Sequence, residues 1–148
     1  MFKHIYHLLK QGFAMNTDLE PILRLVTAFV LSGIVGLERE VSLKPAGLRT
    51  HLLVGLGSAL LTILSTDAFP GADPARIAAA VIVGVGFLGA GTILKTEHKI
   101  IGLTTAATLW VAASVGVAVG AGFYIIAIAA TALASLALLL AKVEKSDR

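Results

Sequence analysis

Cysteine is absent from all 148 residues, so disulfides, thiolate metal sites and cysteine catalysis are excluded. Charge is scarce as well: only 14% of residues are charged, against 57% hydrophobic, with a mean hydropathy of +0.90. Those values exclude an ordinary soluble domain. No HExxH motif occurs, no aspartates pair inside an apolar run, and His51 has no serine placed to work with it. The chain therefore does not read as an intramembrane enzyme, and no cofactor is expected. The first residues also lack the unbroken apolar run and small-residue cleavage site of a signal peptide.

What is present is long hydrophobic runs. Five of them, Ile22–Leu37, Leu52–Leu64, Ile77–Leu94, Ile100–Val119 and Phe123–Ala141, occupy most of the chain, and among them only Arg24 is charged. A span needs roughly 20 apolar residues to cross a hydrocarbon core about 30 Å thick. The last three runs reach that directly, and the first two reach it with flanking residues such as Thr50 and Thr66. The fold expected is an all-α membrane bundle of five transmembrane helices over residues 18–142, leaving no room for a second domain. Residues 1–17 read as an amphipathic or disordered lead-in, because Lys3, His4, His7 and Lys10 surround Ile5, Leu8 and Leu9. Residues 143–148 read as a cytoplasmic tail.

Thr17 or Asp18 can cap the first helix, Pro21 suits its first turn, and Glu20 and Arg24, four apart, can pair at the membrane surface. With five spans, Arg39, Lys44, Arg49, Lys95, Lys99, Lys142, Lys145 and Arg148 share one side, leaving Lys3, Lys10, Arg24 and Arg76 on the other. Positive residues favour the cytoplasmic side, so the N-terminus is expected outside and the C-terminus inside. The pI near 9.5 then reflects span-end anchors, and nucleic acid is not an expected partner.

Small residues mark packing faces, since backbones approach closely where no hydrophobic effect drives association. In the last helix Ala127, Ala130, Ala134, Ala137 and Ala141 form one seam, and in the fourth Ala112, Gly116 and Gly120 recur every four residues. In the third, Gly84 and Gly91 lie nearly opposite Gly86 and Gly89, which makes that helix central, and Trp110 of the fourth reads as a packed side chain. The string Gly84-Val85-Gly86-Phe87-Leu88-Gly89 matches a dinucleotide fingerprint. It lies inside an apolar run, however, with Thr104 and Thr105 where an acidic residue should follow.

Chemistry concentrates in two segments. The first holds Glu38, Arg39, Glu40, Lys44, Arg49, Thr50 and His51 around a turn made by Pro45 and Gly47. This is either a solvated turn with anchoring charges or a functional cluster; the depth of Glu38, directly after Leu37, favours function. Arg49 is its first candidate partner and Arg39 the second. The second segment holds Gly89, Gly91, Thr104, Thr105 and Thr108, whose hydroxyls can bond back to helix carbonyls or cross to a neighbour. Glu38 and Glu40 are the weak candidates for a hard-cation site, since Mg²⁺ takes one or two carboxylates and keeps several waters.

The strings GLERE, KPAGLRTHLLVGLGSALL, GVGFLGAGTILK and GLTTAATLWVAASVGVAVGAGFY, in this order over Ile22–Tyr124, resemble the MgtC/SapB family of bacterial inner-membrane proteins. The resemblance implies a five-helix membrane domain, a link to magnesium limitation and, in pathogens, to survival inside macrophages. It also implies regulation of other membrane machines, ATP synthase among them. The function expected is non-enzymatic modulation of partner membrane proteins from the lipid bilayer. The alternative is a transporter or channel for Mg²⁺ or another small solute, which five short helices could form only as a homo-oligomer.

Overall fold

The computed structural model describes residues 19–69, 73–97 and 99–146, with side chains through residue 140. The readings of residues 1–17 and of the Thr17 or Asp18 cap lie outside this range. Among the described residues five helices make the fold: α1 (Leu19–Val41), α2 (Leu48–Asp67), α3 (Ala75–Gly91), α4 (Leu103–Gly120) and α5 (Tyr124–Ser146). α5 carries helix through most of the segment read as a tail. Between α3 and α4 lie two-residue strands, β1 (Leu94–Lys95) and β2 (Ile100–Ile101), paired antiparallel with Leu94 opposite Ile101.

The structure shifts the balance among the expected spans. α1, α2 and α4 are long and apolar enough to cross a membrane, whereas α3 and the apolar part of α5, Tyr124–Leu140, are shorter. The third apolar run loses its end because α3 stops at Gly91, where the Thr92 hydroxyl donates to the Gly89 carbonyl at 2.8 Å. Ile93, Leu94, Ile100 and Ile101 are apolar but belong to the hairpin. Hydropathy alone does not separate short strands from helix ends. Gly102 reverses the chain into α4 with φ +92°, pressed against the Thr92 carbonyl, so a side chain here meets both backbone strain and a clash.

Burial is that of a protein inside lipid. Val83, Phe87 and Ile125 are more than three-quarters exposed, while His51, Ser32, Ser58, Thr62, Ser65, Thr105 and Thr108 are buried. Apolar side chains face outward and polar ones inward, where helix carbonyls satisfy them: Ser32 donates to Ala28 at 2.7 Å and Thr62 to Ser58 at 2.8 Å.

The central helix is α4, which packs on all four others, and α3 is peripheral, contrary to its reading as the central one. Only one side of α3, Val81, Val85 and Gly89, is buried, against Leu109 and Ala113 of α4 and Ala46 of the α1–α2 turn. Gly84, Gly86 and Gly91 have open space where a side chain would begin, while Gly89 rests on Ala106. The Ala112, Gly116, Gly120 row of α4 is buried as expected. A Cβ on Gly120 would lie 2.7 Å from Thr62 Cβ and 2.8 Å from the Ala59 carbonyl. On α1, Gly33 and Gly36 let Leu52 and His51 of α2 approach in the same way.

At the end away from the hairpin, Arg24 pairs with Glu20 at 3.1 Å, as their spacing suggests, and donates to the Gly120 carbonyl at 2.9 Å. The Tyr124 hydroxyl donates to Glu20 at 2.7 Å, tying α5 to α1.

The alanine seam of α5 is half realised. Ala127 is fully buried with Ala28, Val115 and Val119, but the buried line continues through Thr131 and Leu138, and Ala137 is exposed. Ala134 borders a cleft of about 470 Å³ beside Trp110, a residue that is 49% exposed rather than packed. Ala127→Leu is therefore expected to lower stability in detergent by about 1–3 kcal/mol through overpacking. Ala134→Leu has room and should melt close to wild type. Equal melting temperatures for the two variants would remove this interface.

Candidate functional site

The site lies where α1 leaves the bundle. Along α1 the buried positions Ala28, Ser32, Val35 and Arg39 recur at intervals of four, three and four, so the last turn carries an arginine inward on a core-facing stripe. Arg39 is 4% exposed. Its Nη2 donates to Thr105 Oγ1 of α4 at 3.0 Å, and its Nη1 lies 3.6 Å from Glu38 Oε2. Glu38 also accepts from the Ser42 hydroxyl at 2.6 Å, one helical turn on. Glu38 is thus held by its neighbour Arg39, not by Arg49, which points away and is exposed. The i,i+1 arginine reaches the carboxylate at the last turn of α1, where Arg39 also contacts α4.

From Thr105 a polar line enters the bundle. The Thr108 hydroxyl lies 2.8 Å from the Thr105 carbonyl and 3.1 Å from His51 Nε2, and His51 Nδ1 lies 2.8 Å from the Gly47 carbonyl. A carbonyl only accepts, so Nδ1 carries the proton and Nε2 faces Thr108. His51 is fully buried, with its Cβ against Gly36. The line Glu38, Arg39, Thr105, Thr108, His51, Gly47 joins α1, α4 and α2 and returns to the turn that starts α2.

Glu40 has a different task. Its Oε2 accepts from Leu48 N at 3.0 Å, capping α2 and packing over Gly47. The two carboxylates named for a cation therefore serve separate partners, and among the described residues no three His, Asp or Glu side chains gather as a metal-holding group. Thr104 is exposed on the hairpin side, Thr50 and Arg49 face α3, Gly89 packs on α4 and Gly91 stands open. The structure thus brings Glu38, Arg39, Thr105, Thr108 and His51 together and leaves Arg49, Thr50, Glu40, Gly89 and Gly91 outside that line.

Glu38, Arg39, Ser42, Lys44, Thr104 and Thr105 border a half-open cleft of about 930 Å³, walled by Ile100, Ile101 and Leu138. Ser42 and the hairpin were missed in the sequence. The four-residue step from Glu38 to Ser42 was a legible signal for the first; the pairing of β1 with β2 has none in so short a segment.

The MgtC family profile matches residues 25–146, covering this whole constellation. The chain belongs to the MgtC family. It is 50% identical over 113 residues to "Putative magnesium transporter YhiD" of Escherichia coli, covering 71% of this chain and 53% of that one. It is 43% identical over 136 residues to Protein SapB of Bacillus subtilis (86% and 56%), and 47% identical over 98 residues to Protein MgtC of Brucella abortus (66% and 41%). This MgtC-family chain spans about half the length of the curated relatives it matches. No solved structure matches it. The family and the outward-facing apolar helices together make it a membrane protein.

Proposed function

We propose that this chain is a non-enzymatic, multi-pass protein of the bacterial inner membrane that serves adaptation to low magnesium by modulating other membrane proteins. In this reading all five helices span the bilayer, with the N-terminus outside and the C-terminus inside. α3, 17 residues long, reaches ~26 Å at 1.5 Å per residue, within range of a locally thinned bilayer.

The observation that carries the reading is the burial of Arg39 beside Glu38 at the end of an apolar helix. Ionisable groups at that depth are expensive, and folding has cheaper ways to close a helix end. The polar line from Glu38 to His51 links the turn to the central helix, so a partner touching the turn or hairpin can be sensed along α4. Close glycine contacts between α2 and α4 leave the middle of one protomer little room for a hydrated pathway. The second reading, a Mg²⁺ transporter built from several copies, is favoured by the name that YhiD carries.

Two measurements separate the readings. Purified protein in proteoliposomes is expected to move Mg²⁺ no faster than empty vesicles. Glu38→Gln, a near-isosteric change whose amide oxygen can still face Arg39, should insert and fold with some loss of stability yet fail to restore low-magnesium growth to a strain lacking the gene. Flux above background that Glu38→Gln abolishes would establish transport instead, and full complementation by Glu38→Gln would leave the charge as an anchor only.

A further inference from the structure

Another cavity, on a different face of α2 from His51, takes no part in that function. It is a groove of about 730 Å³ between α2 and α3, running from Arg49 and Thr50 past Leu53 and Leu88 to Leu61 and Ile77. Hydrocarbon lines nearly all of it. The groove exists because α2 and α3 touch only sparsely and because Gly57 and Gly84 border it with no atom within 4 Å of where a Cβ would stand. At its far end Ser65 Oγ lies 3.3 Å from the Pro74 carbonyl, bringing the two helices together.

From Arg49 to Leu61 α2 rises ~18 Å at 1.5 Å per residue. One leaflet of a bilayer about 30 Å thick holds ~15 Å of hydrocarbon. The groove is therefore at least as long as one acyl layer and carries a cation at its outer end. Arg49 is exposed and has neither ion pair nor hydrogen bond among the described residues. A guanidinium with a neighbouring threonine hydroxyl suits a phosphate.

We propose that this groove is a binding site for one anionic phospholipid of the leaflet on the Arg49 side, with an acyl chain along Leu53, Leu61, Ile77 and Leu88 and its phosphate on Arg49 and Thr50. The proposal shares only the membrane setting with the function proposed above. Bound lipid would fill the gap between α2 and α3 and fix the position of α3.

Native mass spectrometry of the full chain in detergent, titrated with phosphatidylglycerol or phosphatidylcholine, tests it. One phosphatidylglycerol is expected to bind in preference to phosphatidylcholine. Arg49→Gln should weaken it about fivefold, the effect of one surface cation on an anionic lipid. Gly84→Leu, whose Cβ would have no neighbour within 4 Å and whose side chain fills the groove, should abolish it, while Gly86→Leu, equally open but outside the groove, should leave it intact. Wild-type binding by both Arg49→Gln and Gly84→Leu, or equal binding of the two lipids, would overturn the proposal. Spontaneous disulfide dimers of Gly84→Cys in native membranes would overturn it too, by assigning the groove to a second copy.

Discussion

Gly116→Val should be among the most damaging single substitutions in this chain, lowering stability in detergent by about 3 kcal/mol or more, whereas Gly84→Val should leave the melt unchanged. Both glycines sit inside apolar helices and both belong to small-residue patterns. A Cβ on Gly116, however, would press on the Gly55 carbonyl and lie 2.8 Å from Ser58 Cβ; backbone cannot swing aside as a side-chain tip can. Around Gly84 nothing lies within 4 Å. Paired thermal or denaturant melts decide the point, and equal tolerance of valine at both positions would mean that α2 and α4 do not cross at Gly55 and Gly116.

Arg39→Met is expected to cost about 3–5 kcal/mol, because it breaks a buried ion pair. Thr105 Oγ1 loses its guanidinium donor in the same change. Arg49→Gln, at an exposed position, should stay within about 0.5 kcal/mol of wild type. Adding Glu38→Gln to Arg39→Met should recover part of the stability, since the carboxylate that faced the guanidinium then carries no charge, while low-magnesium complementation remains lost. Equal melting of the Arg39 and Arg49 variants would contradict the burial of Arg39. Recovery of growth together with stability in the double variant would make the pair a packing device.

Much of the site was within reach of the one-dimensional pattern. Glu38, Arg39, Thr105, Thr108 and His51 all stood among the candidates, because ionisable and hydroxyl groups against apolar runs are conspicuous. Their partition was not. Arg39 and Arg49 have the same chemistry and flank the same turn, and only the direction in which α1 ends turns one inward and the other toward α3. Glu38 and Glu40 looked like a pair, yet two residues along a helix is a rotation of about 200°, which sends one carboxylate to Ser42 and Arg39 and the other to the α2 N-terminus.

Membrane residence and helical class were legible in composition, because transfer into lipid is a sum over residues and does not depend on which residues touch. The family followed from motif order, and the Glu20–Arg24 pair and the Gly116–Gly120 face from spacing along one helix. Which helix stands at the centre was not available in that way. α3 has more glycine than α4 over a similar length, and in lipid a small residue permits close approach without compelling it. Packing depends on complementary surfaces from separate parts of the chain, so Gly116 is buried by Gly55 and Ser58 of α2, while Gly84 faces an open groove.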